Sequence, residues 1–204
     1  MATIKVRGSG TVEAQPDEAA VTFEVAAVAD AAAEAFTTAA ERARALDAVL
    51  DDAGVDVGRR STVGIVLHEQ PEFDPSGETR RTHRASTTVT VRFGDIDAIP
   101  PLLTAAVERA DAYVRGPLWR LSDPREAEAE ACRRAVADAK SRAEAYAAAL
   151  GAKLGVVESV EDAAPGGPVV RGVMLRAAAA EAPALYPADL TVSASVDVVF
   201  ALEP

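Results

Sequence analysis

The sequence predicts an α+β fold, with antiparallel sheets of about eight strands and two long helices and one shorter helix packed on them. Three observations carry the prediction. Both ends of the chain alternate apolar with polar residues, Ile4 to Val12 at the start and Leu190 to Leu202 at the close, which is the period of a half-buried strand. Two inner segments instead place apolar residues at alternating steps of three and four, and each stops at a glycine, Gly54 and Gly151. The elements between follow the order ββαββ-αβαβ(β)β, with the terminal strands expected in one sheet.

In the first strand Ile4, Val6, Gly8, Gly10 and Val12 share a face, and Lys5, Arg7, Ser9, Thr11 and Glu13 share the other. Gln15-Pro16-Asp17-Glu18 breaks the ladder, because proline has no N–H to donate and aspartate favours local side-chain bonds. Val21, Phe23, Val25 and Ala27 resume the alternation, which predicts that the first two strands pair as antiparallel neighbours and that Leu190 to Leu202 joins the sheet of Ile4 to Val25. Asp30 is positioned to cap a helix with the apolar line Phe36, Ala39, Ala43, Leu46, Leu50 and Ala53. Val63, Ile65 and Leu67 mark a third strand and Thr87, Val89, Val91 and Phe93 a fourth, joined through the polar stretch 70–78.

Pro100 and Pro101 are compatible with a helix only in its first turn, so a short helix follows Asp97 with Leu102, Leu103 and Val107 as its buried stripe. Tyr113 to Leu121 reads as a strand interrupted by Pro117. Ser122-Asp123-Pro124-Arg125-Glu126 is a helix start, with Asp123 as cap, Pro124 in the first helical position and Glu126 completing a capping-box pattern. The helix that follows is expected to bury Cys132, Val136, Ala139, Ala143, Tyr146 and Leu150, and to expose Glu130, Arg134, Asp138 and Arg142 as a solvated row of alternating charge. Leu154 to Val160 is a further strand, and Val169 to Leu175 is an apolar stretch suited to a strand or an interface. The 204 residues, 49% hydrophobic, suffice for a single domain over 1–204, or for two intertwined lobes at about 1–95 and 96–204.

A net charge of −11 repels polyphosphate and anionic lipid, and an aromatic content of 4% provides few platforms for stacking bases. No nucleic-acid partner is expected. No apolar run reaches the ~20 residues of a membrane span, and no apolar leader precedes the first strand, so the expected location is cytoplasmic unless a leader has been removed. The single cysteine, Cys132, excludes an internal disulfide.

Four features bear on chemistry. Gly8-Ser9-Gly10 lacks the third glycine and the following helix of a dinucleotide loop, so a bulge or a close backbone approach explains it better. His68 and His83 flank the 70–78 stretch, and folding it as a hairpin draws them together with Glu69 and Glu78. A metal centre usually needs three or four convergent ligands, so no metal is expected and these two remain solvent-exposed histidines. Cys132 has the minimal makings of a nucleophile, yet on an apolar helix line a cysteine acts as a small buried hydrophobe. Arg80, Arg81 and Arg84 form a basic cluster able to dock an anion or an acidic patch of a neighbouring subunit. The simpler account is a charged strand that discourages edge-to-edge pairing, with Glu72, Asp74 and Glu78 as local partners.

Several motifs together resemble the SIMPL-domain family, a domain of unknown function named after a signalling molecule associated with a pelle-like kinase. They are Val6-x-Gly8-x-Gly10 followed by Pro16-Asp17-x-Ala19; the hairpin with Pro71 and Phe73; Ser122-Asp123 opening a helix with Ala135, Ala139 and Ala143; Leu150-Gly151; and Val192-x-Ala194-x-Val196-x-Val198-x-Phe200. The resemblance covers essentially the whole chain. It implies an α+β fold, a tendency to self-assemble and a loose association with stress tolerance or signalling, and it supplies no catalytic residues. Bacterial members are typically exported, and this sequence departs from them in having no leader.

The expected function is therefore that of a non-enzymatic, self-assembling interaction protein, a homo-oligomer without catalytic residues or cofactor. Its interaction surface is expected at Phe73, Arg80, Arg81, Arg84, Val169, Val170 and Met174. The alternative is a small-molecule-binding or enzymatic protein that uses a cleft between lobes with His68 and His83 as its polar groups.

Overall fold

The computed structural model describes residues 2–73, 79–163, 169–172 and 185–204. It is an α+β protein with three α-helices and two antiparallel sheets. The strands are β1 (Ala2–Ala14), β2 (Glu18–Ala29), β3 (Arg60–Phe73), β4 (Thr79–Phe93), β5 (Tyr113–Arg120), β6 (Lys153–Asp162), β7 (Val169–Gly172) and β8 (Leu190–Glu203). The helices are α1 (Ala32–Asp52), α2 (Ile99–Ala110) and α3 (Arg125–Ala149). The chain divides into two compact units, each with its own sheet. One contains the described parts of 2–17, 120–172 and 186–204, and the other 18–119 with Leu185. A division near residue 95 is not observed, because Ile99, Leu102, Ala106 and Ala110 of α2 belong to the same core as Phe23, Leu46 and Val91.

In the first unit β8 is the central strand. β1 pairs with it antiparallel over thirteen residue pairs, from Ala2↔Leu202 to Ala14↔Leu190. On its other side lie β6, from Lys153↔Glu203 to Asp162↔Val196, and then β7, from Val169↔Ser193 to Gly172↔Leu190. The two termini thus share a sheet, as expected, but β2 does not join them and no β1–β2 hairpin forms. The reason is that both edges of β1 are already occupied, one by β8 and the other by α3.

The α3 interface explains the Gly-Ser-Gly motif. A Cβ on Gly8 would lie 2.0 Å from the Ala135 carbonyl oxygen and 2.6 Å from the Ala139 nitrogen. One on Gly10 would lie 2.1 Å from the Ala131 oxygen and 2.5 Å from the Ala135 nitrogen. Helix backbone rests directly on strand backbone, so only alanine fits along the contact. Ala131, Ala135, Ala139, Ala143 and Ala147 are the buried residues of α3, at a constant step of four. The larger residues expected in that stripe are displaced to its flanks, and Cys132, Val136, Tyr146 and Leu150 are all exposed.

The charged row of α3 is more than a solvated face. Arg134 donates to the Thr11 carbonyl at 2.7 Å, Asp138 accepts from the Ser9 N–H at 2.9 Å, and Arg142 donates to the Arg7 carbonyl at 2.9 Å. A step of four helix residues advances ~6.0 Å and a step of two strand residues ~6.8 Å, so charges at i, i+4 and i+8 match the outward acceptor, donor and acceptor of β1. α3 seals an edge that would otherwise present unpaired backbone groups.

The second unit orders its sheet β3-β4-β2-β5, with β3 and β5 at the edges. Val21, Phe23 and Val25 of β2 and Val89, Val91 and Phe93 of β4 face a core completed by Leu46, Val49 and Leu50 of α1 and Ile99 and Leu102 of α2. Phe36 of α1, Ala53 just past its end and Val107 of α2 are exposed, contrary to the expected stripes, because α1 turns Ala35, Ala39, Leu46, Val49 and Leu50 inward and α2 turns Ile99, Leu102, Ala106 and Ala110 inward. Asp30 caps nothing at the start of α1; its carboxylate pairs with Arg80 and its carbonyl meets His83 Nδ1 at 3.0 Å. The stops behave as expected. At Gly54 (φ +69°) the Val55 N–H returns to the Leu50 carbonyl, and at Gly151 (φ +70°) the Ala152 N–H returns to Ala147. α2 ends the same way on Asp111, a non-glycine at φ +50°, whose carboxylate pairs with Arg42 at 2.8 Å.

Candidate interaction surface

The β3–β4 ladder places each of the predicted hairpin residues. It pairs Leu67 with Ala85, His68 with Arg84 and Glu69 with His83. Because neighbouring strand residues point to opposite faces, His68 and His83 lie on opposite sides of the sheet and cannot share a ligand. Glu78 lies outside the described residues. Among the described residues no group of three or more His, Cys, Asp or Glu side chains converges as a metal site.

The arginine cluster is dispersed in the same way. Arg84 pairs with Glu24 at 2.9 Å, Arg81 approaches Glu69 at 3.7 Å, and Arg80 pairs with Asp30. Of the expected local partners Glu72, Asp74 and Glu78, the last two lie outside the described residues, whereas Glu24 and Asp30 come from elsewhere in the chain. Glu24 also meets Arg115 at 3.8 Å, and Glu24, Arg84, Arg42, Asp111 and Tyr113 line a cleft of about 500 Å³ on the second unit. Its charges are paired with one another: Arg42 also donates to the Ala26 carbonyl, and Arg115 stacks 5.9 Å from the Tyr113 ring centre. Val169 and Val170 pair through their backbones with Ser193 and Val192, Phe73 pairs with Thr79 at the end of the ladder, and Met174 lies outside the described residues.

The feature that sequence reasoning missed is the outer edge of β3. Val63 is 66% exposed, Ile65 63%, Val66 51% and Leu67 47%. Apolar residues on both faces of a strand normally signal a central strand covered on both sides, yet β3 is an edge and α1 lies over β2 and β4. On the helix side Ile65 faces a cleft of about 620 Å³ lined also by Phe36, Ala40, Ala43 and Val57. Arg60 closes the cleft, donating to Asp51 at 2.6 Å and to the Val55 carbonyl. A signal for this edge exists along the chain: Ser61 to Leu67 is a run of seven uncharged residues with no apolar/polar alternation.

Charge also organises the first unit. Asp197, on β8, accepts from Arg7 at 2.7 and 2.9 Å and has Lys5 at 3.6 Å, and the Arg7 hydrogen bonds hold its pKa down at about 2. Asp17, of the Pro-Asp motif, accepts from the Ser122 N–H at 2.7 Å and from its hydroxyl at 2.5 Å, which lowers the Asp17 pKa. These contacts tie together the two points where the chain leaves and re-enters this unit. Asp123 accepts from the Arg125 N–H at 3.1 Å and from its guanidinium at 2.8 and 2.5 Å, so it serves the start of α3 although the helix begins one residue later than expected. Those bonds lower the Asp123 pKa to about 2.

An α+β architecture with a glycine-marked first strand under an alanine-striped helix defines the structural class of this chain. The chain belongs to the SIMPL family, described as a protein of unknown function (DUF541), whose model matches residues 4–200. It is similar to the protein named "Uncharacterized protein YggE" of Escherichia coli strain K12, 29% identical over 207 residues that cover 98% of this chain and 83% of that protein. It is also similar to the protein of the same name from Edwardsiella ictaluri, 29% identical over 154 residues that cover 75% of this chain and 64% of that one. No helix among the described residues is long and apolar enough to cross a membrane.

Proposed function

We propose that this chain is a non-enzymatic interaction protein that works by self-assembly, through an exposed sheet edge rather than a catalytic cleft. The observation that carries the proposal is the apolar outer edge of β3, where four large aliphatic positions, interrupted by Gly64, stand 47–66% exposed. A solvent-exposed strand of that composition is a ready template for another strand, and monomeric proteins normally blunt such edges. The alternative use of His68 and His83 in a binding cleft loses support, because they stand on opposite faces of the ladder. Multi-angle light scattering from micromolar to hundreds of micromolar protein tests the proposal. A mass at a multiple of the 21.1 kDa chain is expected, and a strict monomer across that range overturns it.

A further inference from the structure

We infer that the cleft lined by Glu24, Arg42, Arg84, Asp111 and Tyr113 binds a small carboxylate with an aromatic or branched aliphatic body, and that the Asp111 carboxylate competes with this ligand for Arg42. The inference is independent of the self-assembly proposed above and concerns the other side of the same sheet.

The cleft exists because one strand outruns its neighbour. Gly116 of β5 lies against Ala20 and Val21 of β2, where a Cβ on Gly116 would come within 2.9 Å of the Ala20 carbonyl oxygen. β5 begins at Tyr113 and so flanks β2 no further than about Glu24, whereas β2 continues to Ala29. Into the notch beyond Tyr113, Arg42 reaches from α1 and donates to the Ala26 carbonyl, a group that a longer neighbouring strand would have bonded. The resulting space of about 500 Å³ lies within the range of small-molecule sites, ~300–1,000 Å³.

The charges of the notch are arranged to accept an anion. Three guanidiniums, of Arg42, Arg84 and Arg115, meet two carboxylates, of Glu24 and Asp111, which leaves a positive surplus on a chain of net charge −11. Arg42 makes both of its contacts through Nη1, and Arg84 reaches Glu24 through Nη2. Among the described residues the remaining N–H groups of these two guanidiniums have no protein partner, and such groups in a fixed fork are well suited to a carboxylate. The two carboxylates already present are not equivalent. Glu24 is 23% exposed and sits between Arg84 and Arg115. Asp111 is 72% exposed, pairs with Arg42 alone among the described residues, and stands at φ +50°, where a non-glycine residue is strained. Asp111 is therefore the group that an incoming anion displaces, while the Ala26 carbonyl keeps Arg42 in place. Tyr113 and Val28, 64% and 46% exposed, supply an aromatic and an aliphatic surface for the body of the ligand.

Fluorine NMR of para-fluorobenzoate titrated with the full-length chain tests the site, since the ligand line width is read whatever the size of the assembly. Binding with a Kd of about 1 mM is expected. Trifluoroacetate, which has the charge without the body, should bind roughly tenfold more weakly. para-Fluorobenzylamine, which has the body with the opposite charge, should not bind. Arg42→Gln should weaken para-fluorobenzoate roughly fivefold or more. Asp111→Gly should tighten it roughly threefold, because glycine adopts the left-handed conformation freely and the competing carboxylate is gone. A merely structural role for Asp111 would produce no such gain, and circular dichroism checks that both variants keep the parent fold. No broadening of para-fluorobenzoate at about 20 mM, equal binding of the amine, or an affinity unchanged in folded Asp111→Gly overturns the inference.

Discussion

Replacing Gly8 by alanine should cost far more than one methyl group ordinarily does. The added Cβ would sit 2.0 Å from the Ala135 carbonyl oxygen, 2.6 Å from the Ala139 nitrogen and 2.7 Å from the Ala139 Cβ. Real contacts of this kind begin near 3 Å, so α3 and β1 must separate by about 1 Å. Two of the three obstructing atoms are backbone, which no rotamer change can move. A gap of 0.5–1 Å forfeits roughly a quarter to a half of each dispersion contact, and here it would open along the whole buried line from Ala131 to Ala147. We expect a loss of about 3 kcal/mol, at the upper end for an overpacked core, or roughly 6–12 °C in melting temperature for a chain of this size. Gly64→Ala is the control, because a Cβ at that position meets nothing within 4 Å and alanine suits a strand better than glycine. It should change stability by less than about 1 kcal/mol. The same logic predicts that Ala139→Gly will not rescue Gly8→Ala, since the Ala135 oxygen and Ala139 nitrogen remain in place. Urea unfolding followed by circular dichroism measures the parent and these three variants. A cost for Gly8→Ala below about 1 kcal/mol, or rescue by Ala139→Gly, would refute the argument that backbone contact dictates the glycine.

Acid should weaken the first unit through Asp197, whose pKa is about 2 in the fold against an ordinary 3.8. A depressed carboxylate contributes fully above pH 4 and loses that contribution between about pH 4 and 2, as the unfolded chain takes up the proton first. Asp197→Asn should therefore flatten the fall of melting temperature over that window, and an unchanged slope would show that the Arg7 pair contributes nothing there. Replacing both Arg134 and Arg142 by alanine should cost about 1 kcal/mol in all, since water can reach the freed carbonyls, but should raise light scattering on heating as the β1 edge opens; scattering equal to the parent's would mean that α3 guards nothing. Cys132, exposed on α3, should react with a thiol reagent in the native protein within about tenfold of its rate in urea, and protection by orders of magnitude would contradict its placement.

Much of the fold could be read along the chain because it depends on local chemistry. Gly54 and Gly151 end their helices where a left-handed residue is needed, Pro100 sits in a first turn, and the terminal alternation of β1 and β8 is the pattern of strands with one buried face. The failures have a common cause. Periodicity reports that a helix has an apolar side, but not how closely its neighbour approaches. On α3 the distance was set by Gly8 and Gly10, more than a hundred residues away, and at that distance alanine is buried while Val136, Tyr146 and Leu150 are excluded. The hairpin histidines show the same limit in a sheet: proximity along the ladder was legible, but the face of each residue depends on a register that one residue reverses.

The amino-acid sequence by itself determined the α+β class, the order of elements, the helix stops and the family, because turns, caps and alternation act over a few residues. Tertiary structure alone decided which strands are neighbours and which of their edges stay open. β1 pairs with β8 over thirteen backbone pairs while α3 seals its other side, and β3 is an edge because among the described strands only β4 pairs with it. Backbone hydrogen-bonding groups are the same in every residue, so only the folded arrangement can say which of them are satisfied and which are left for another strand.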